Sequence, residues 1–272
     1  CSLGILRWFF LFMLRLINKG FFVMIEISLE NINGIEVIHA APTGKRQQPL
    51  PTIFFYHGYT SSKEVYSYFA YAFAQAGFRT LLPDADMHGA RFNGDESQRL
   101  SYFWEILKSN IDELPAIKQH YQQAGLIDGD RIGVAGASMG GMTTLGAFAR
   151  YPWVKVAADF MGSGDFTSLA RTLFPPLAAG QPVNAAEFER RLAPLAAYEL
   201  SHQLEKIAER PLLVWHGEAD EVVPAAESTR LVQALMASGR DNQLTYITEA
   251  GIGHKITPSA LKAGVTFFSS HL

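Results

Sequence analysis

The strongest constraint on this chain is an alternation. From Thr52 to Leu272, short runs that are apolar throughout trade places with longer stretches whose apolar residues recur at helical spacing. A strand covered on both faces belongs inside a parallel sheet, and strands that alternate with helices build such a sheet through βαβ crossovers. The spacing predicts a strand at "TIFFYHG", a helix near Lys63–Ala76, a strand at "FRTLLPDAD" and a helix near Gln98–Gln123. It continues with a strand at "RIGVAGAS", a helix from Met139 to about Arg150 and a strand at "VKVAADFMGS". The last elements are a strand at "RPLLVWHGEAD", a helix over Ala225–Ser238, a strand at "QLTYITEAG" and a closing helix over Pro258–Leu272.

Ahead of these, "MIEISLENI" and "IEVIHAAP" flank Asn33-Gly34, a strong hairpin signal, so an antiparallel pair opens a sheet of about eight strands. The alternation lapses once, over about 165–209, where prolines stand at 175, 176, 182 and 194 around two helical-looking pieces, "EFERRLAPLAAYEL" and "HQLEKIAE". So long an insertion after the sixth strand is expected to be a helical lid rather than a plain loop.

Residues 24–272 are expected to form one α/β domain around a single large core. The segment before them, "CSLGILRWFFLFMLRLINKGFFV", holds its longest apolar run between Trp8 and Leu14, bracketed by Arg7 and Arg15. That is far short of the ~20 residues a membrane span needs, and no A-x-A cleavage pattern follows. Because Met24 directly precedes the first strand, residues 1–23 are expected to be an upstream or non-native extension; an apolar helix lying in a membrane interface is the rival. A net charge of −3 gives no field for a phosphate backbone, so no nucleic acid is expected as a partner. Cys1 is the only cysteine, which rules out an internal disulfide and a cysteine-based zinc site and fits a cytoplasmic setting.

Gly136-Ala137-Ser138-Met139-Gly140 matches G-x-S-x-G, with an apolar strand before it and a helix after it. The glycines have a physical purpose: a serine raised above the sheet sits on a strained turn, and side chains at Gly136 and Gly140 would collide with it. The competing reading, a glycine-rich helix start that cradles phosphate, lacks the Lys-Ser/Thr pair of a P-loop. A serine hydroxyl needs a base, and the base needs a carboxylate to orient it. Asp220 in "WHGEADEVVP" and His254 in "EAGIGHKITP" follow the last two expected strands, giving the chain order Ser138, Asp220, His254.

Taken together, "HGYTSSKE", "GASMGG", "HGEADEVVP" and "GIGHKI" make the chain from about Ile25 to Leu272 resemble a serine α/β-hydrolase. The likeness is to the dienelactone-hydrolase-like and prolyl-oligopeptidase-like esterase branch. It implies that Ser138 is the nucleophile, Asp220 the acid and His254 the base. Dienelactone hydrolases carry cysteine at the elbow, so the serine here points to ordinary ester chemistry. One oxyanion donor should be the backbone N–H of Met139, at the positive end of its helix. By resemblance to the His-Gly-x pattern after the third strand, the other should be the N–H of Tyr59.

His57 and His216 are better suited to holding loops than to acting as bases, and Asp165 is an alternative acid. Asp84, Asp86 and His88 could pass for metal ligands, but with no further cluster a hydrogen-bonded loop is the simpler reading, and neither metal nor cofactor is expected. "LARTLFPPLAA" could line an acyl channel or simply pack on the body. The expected activity is a serine carboxylesterase acting on small to medium acyl esters. An acyl-CoA thioesterase is the alternative small-molecule reading, followed by a peptidase and by a non-catalytic binding protein on a hydrolase scaffold.

Overall fold

Asn33 and Gly34 both take left-handed φ, 54° and 88°, and so close the expected hairpin between β1 (Ile25–Ile32) and β2 (Ile35–Pro42). The computed structural model describes residues 23–175, 184–207 and 209–272. Apart from Val23, the expected N-terminal extension therefore lies outside the described residues. Past the hairpin come β3 (Leu50–Tyr56), β4 (Arg79–Pro83), β5 (Ile127–Ala137), β6 (Val156–Phe160), β7 (Leu212–Gly217) and β8 (Leu244–Glu249). They form one eight-stranded sheet in the order β1-β2-β4-β3-β5-β6-β7-β8. The pairings β1 with β2 and β2 with β4 are antiparallel; all the others are parallel.

Helices cover both faces. The helices α1 (Ser67–Gln75) and α8 (Pro258–His271) lie on one; α3 (Phe103–Gln123), α4 (Met139–Arg150) and α7 (Ala226–Ala237) lie on the other. Strand side chains alternate between the layers, so consecutive residues go opposite ways. Phe54 and Val134 join Leu114, Phe148 and Leu231, whereas Phe55 and Ala135 join Phe69, Phe73 and Phe268. This explains the apolar runs Ile53–Tyr56 in β3, Ile132–Ala137 in β5 and Leu212–Trp215 in β7, which are buried on both faces of the sheet.

Two expectations need correction. The single helix expected near Gln98–Gln123 is two, α2 (Glu96–Ser101) and α3, broken at Tyr102, whose φ of −103° and ψ of 14° leave the helical region. Of the two helical pieces expected in the insertion, the first is α6 (Ala185–Leu192) continued as a 3₁₀ turn over Ala193–Ala197, where Pro194 has no N–H to offer an α-helix. The second shrinks to one 3₁₀ turn at Leu204–Lys206. Before them, α5 (Phe166–Thr172) starts on an Asp165 cap, whose side chain accepts the Ser168 N–H.

The insertion packs inward. Phe166, Leu169, Ala170, Leu192 and Leu195 are buried in a third apolar cluster with Trp104 and Leu107 of α3 and Met139 and Met142 of α4. Val223, Tyr59 and Met87 touch the same cluster, so it lies where the loops after β3, β4, β5 and β7 converge. Leu169 and Ala170 of "LARTLFPPLAA" thus pack against the body, and part of that stretch lies outside the described residues.

Candidate active site

The chain leaves β3 for β4 on one side and returns to β5 on the other. At such a switch point the loops beyond two neighbouring strands diverge and leave a crevice at their carboxyl ends. Ser138 stands at its edge, directly after β5 and as the cap of α4, with φ 58° and ψ −118°. A non-glycine residue is strained there. The flanking glycines are required by contact: a Cβ at Gly136 would land on the Gly140 carbonyl, and one at Gly140 on the Tyr56 carbonyl. The Ser138 N–H donates to the Phe160 carbonyl at 2.8 Å, which ties the turn to the end of β6.

The other two expected residues converge on this serine from loops well downstream. His254 Nε2 lies 2.8 Å from Ser138 Oγ, and His254 Nδ1 lies 2.7 Å from Asp220 Oδ2. A carboxylate only accepts, so Nδ1 carries the ring proton and the lone pair on Nε2 faces the serine O–H. The Asp220 side chain is wholly buried, and its Oδ1 accepts the N–H groups of Val222 at 2.9 Å and Val223 at 3.0 Å. Burial alone would raise its pKa; hydrogen bonds from His216 and His254 and the electrostatic attraction to His254 outweigh that and hold it far below the usual carboxylate range. An aspartate fixed as an anion can orient and stabilise an imidazolium. Asp165, the alternative acid, is spent on capping α5.

The loop after β3, which carries Tyr59, is stitched to the loop after β4. The Ala85 N–H donates to His57 Nε2 and the Thr60 N–H to His88 Nε2, each at 3.0 Å. Their Nδ1 atoms face the carbonyls of Gly58 and Asp86, at 2.8 and 2.7 Å. Each ring is thus a neutral acceptor toward one loop and a donor to its own. Burial lowers the pKa of both, that of His88 to about 4, which keeps the rings in this form. The third stitch is Lys63, a residue the sequence reading passed over. Its N–H donates to Asp84 Oδ1 at 3.1 Å and its Nζ reaches Asp84 Oδ2 at 2.7 Å. The Asp84 Oδ2 also accepts the Ala90 N–H at 2.9 Å. Asp84 and His88 are thereby committed to holding loops, while Asp86 accepts the Met87 N–H. Glu36, Glu64 and Asp84 do bring three carboxylates together, and Lys63 Nζ stands among them.

His216, at the end of β7, lies under Asp220 with no exposed surface. Its Nε2 is 2.8 Å from the Val223 carbonyl and 3.3 Å from Asp220 Oδ2, and its Nδ1 is 2.6 Å from Ser228 Oγ. The i, i+4 spacing in "HGEAD" was the available signal for this contact; nothing local marks Asp159, a fully buried acid on β6.

Comparison with known proteins identifies the lineage. Residues 65–268 match the model of the prolyl oligopeptidase family. The chain belongs to the prolyl oligopeptidase family. Among relatives in the curated set, "Esterase YjfP" of Escherichia coli (strain K12) is 51% identical over 249 residues, covering 92% of this chain and 100% of that protein. YitV of Bacillus subtilis (strain 168) is 35% identical over 257 residues, with the same coverage, 92% and 100%. The crystal structure of TT1662 from Thermus thermophilus shares the fold: the TM-score is 0.72 at 23% identity, over 91% of this chain and 98% of that one. This prolyl oligopeptidase family member thus has the α/β-hydrolase architecture that its sheet order displays. No helix among its described residues is long and apolar enough to cross a membrane.

Proposed function

We propose that this protein is a serine carboxylesterase that works through an acyl-enzyme on Ser138. The observation that carries the reading is the pair of hydrogen bonds on His254, one to Ser138 Oγ and one to Asp220 Oδ2. In the first half-reaction Ser138 Oγ attacks the ester carbonyl while His254 Nε2 takes its proton. The alcohol leaves with that proton, and water activated by the same nitrogen hydrolyses the acyl-serine. Asp220 stays ionised throughout and compensates the positive ring. The oxyanion is held by the backbone N–H groups of Met139 and Tyr59. Neither N–H is used in a hydrogen bond among the described residues, and Met139 opens α4, where the helix dipole favours negative charge.

Two considerations support an ester as substrate. The relative matched over its whole length at 51% identity is named an esterase. The apolar cluster beside the serine is filled by the protein's own Phe166, Leu169, Leu192 and Leu195, which favours short or medium acyl groups over long ones. Residues 165–209 would then serve as the lid over that cluster, and residues 24–272 as one catalytic domain.

Turnover of p-nitrophenyl esters of increasing acyl length, run beside acyl-CoA thioesters and peptide amides, tests the reading. Activity is expected on acetate to hexanoate esters, with covalent fluorophosphonate labelling that disappears in Ser138→Ala. Labelling that persists in Ser138→Ala would overturn the nucleophile, and turnover confined to acyl-CoA would replace the esterase with a thioesterase.

A further inference from the structure

Ser138 stands between two apolar assemblies, and the reaction proposed above draws on only one. Met139 and Tyr59 belong to the cluster filled from α5 and α6, the proposed acyl side. Across the serine, in the layer of α1 and α8, Tyr66 packs with the same assembly as Ile252 and Ile256, the residues that bracket His254. Tyr66 directly precedes α1 and is half-buried. Its ring is held by aromatic neighbours, with centroids 5.7 Å away at Phe55, 5.9 Å at Tyr68 and 6.5 Å at Phe69. A ring packed this way has few rotamers left, so its hydroxyl is fixed in place.

The contacts around Gly58 locate that hydroxyl. A Cβ placed on Gly58 would lie 3.1 Å from Tyr66 Oη and 3.5 Å from Ser138 Cβ. The phenol oxygen and the nucleophile therefore face one space, no more than about 7 Å apart, which Gly58 keeps open because it has no side chain. Burial pushes the Tyr66 pKa up, against a hydrogen bond from the Gly58 backbone, so the phenol keeps its proton at neutral pH. A tyrosine hydroxyl can accept and donate at once. Here the oxygen accepts from Gly58, and no acceptor among the described residues takes the O–H proton. Tyr56, Tyr121, Tyr151 and Tyr198 each donate theirs to a protein oxygen.

We infer that Tyr66 is a further catalytic residue, the hydrogen-bond donor to the leaving oxygen of the ester. In the first half-reaction the bond between the acyl carbon and the alcohol oxygen breaks, its electron pair stays on that oxygen, and the oxygen takes the proton from His254 Nε2. The leaving oxygen must therefore lie on the His254 side of Ser138, where Tyr66 stands. A phenol O–H aimed there stabilises the negative charge that develops before the proton arrives. The Tyr66 proton stays on the phenol throughout, so the balance of the reaction is unchanged. In the second half-reaction the attacking water occupies the place the alcohol has left, and meets the same donor. A substrate class follows: such a donor matters most for esters of aliphatic alcohols, whose alkoxides leave poorly, and least for activated aryl esters. This role rests on those proposed for Ser138 and His254.

Tyr66→Phe keeps the ring and removes only the hydroxyl. The decisive measurement is kcat/KM for ethyl, trifluoroethyl, phenyl and p-nitrophenyl acetates, which all pass through the same acetyl-Ser138, with fluorophosphonate titration counting the active sites. The ratio of kcat/KM for ethyl acetate to that for p-nitrophenyl acetate should fall about tenfold in the variant, with the other two esters graded between. The acetyl-enzyme should also break down more slowly, giving a larger burst of p-nitrophenolate. An equal effect on all four esters, or none, would place the hydroxyl on the oxyanion or in packing and would overturn the inference. A parent enzyme that cleaves only the aryl esters would overturn it too. Either result, beside an inactive Ser138→Ala, would leave the esterase reading intact. Fluorophosphonate that labels Ser138→Ala as well as the parent would instead remove the nucleophile on which both rest.

Discussion

Lys63 Nζ lies 2.7 Å from Asp84 Oδ2, and the lysine side chain is 1% exposed. Glu36 Oε2 and Glu64 Oε1 stand 2.6 Å from the same nitrogen. Burial would lower the lysine pKa, but the hydrogen bonds to the three carboxylates outweigh it and raise it above the usual lysine range. The ammonium is therefore fully charged at any working pH, and the stabilisation it gives is lost only in strong alkali.

Replacing it exposes what the pair does. Lys63→Met leaves the Asp84 carboxylate buried without its counter-charge and should cost about 3 kcal/mol of stability. The loop carrying Tyr59 also loses its firmest stitch to the loop after β4, so kcat should fall more than KM rises. Thermal melting and steady-state kinetics on the same preparation check both; a stable variant with unchanged kcat would show that the loop does not need the pair.

The left-handed φ of Ser138 makes an opposite prediction for stability. Glycine adopts that conformation freely, so Ser138→Gly should melt higher than the parent by a margin equivalent to about 1 kcal/mol while ester turnover falls by at least about 10⁴. A variant that melts lower would mean that the hydroxyl's bond to His254 outweighs the strain.

Glu30 ties the opening hairpin to α3. Its carboxylate meets His39 Nδ1 at 2.8 Å, Tyr121 Oη at 2.6 Å and an Arg46 guanidinium nitrogen at 2.6 Å. Burial would raise its pKa, but these bonds outweigh burial and bring it down from 4.5 to about 2. With the folded value below the unfolded one, the stabilisation is complete above pH 4.5 and disappears as pH falls through 2. Glu30→Gln should thus cost about 1–3 kcal/mol at pH 7, and denaturant melts from pH 7 to pH 2 should show the gap to the parent closing.

The third apolar cluster yields a specificity prediction, if it meets the acyl group as proposed. Leu195→Ala, at a fully buried position of that cluster, should cost about 2–4 kcal/mol and shift the preferred p-nitrophenyl ester toward longer acyl chains. Unchanged chain-length preference would place acyl binding elsewhere in the crevice.

Much of the fold could be read from the sequence because the central stretches of β3, β5, β6 and β7 are buried on both faces and therefore mostly apolar. The triad candidates were legible for a related reason: each follows a strand in a loop at the carboxyl end of the sheet. The break at Tyr102 was not, because the apolar spacing runs on through it from α2 into α3. Lys63, Asp159 and the contact of His216 with Asp220 were missed or left undecided for another cause. A buried charge looks like a surface one in sequence until its partner is known, and Asp84 lies 21 positions from Lys63.

The described residues between β6 and β7 contribute to the apolar cluster beside Ser138 but supply none of the three residues on the His254 hydrogen-bond path. On the proposed function, selectivity and bond cleavage would therefore be inherited on separate pieces of chain. A lineage could rewrite residues 165–209 repeatedly, acquiring new substrates, while the reaction itself passed down unaltered.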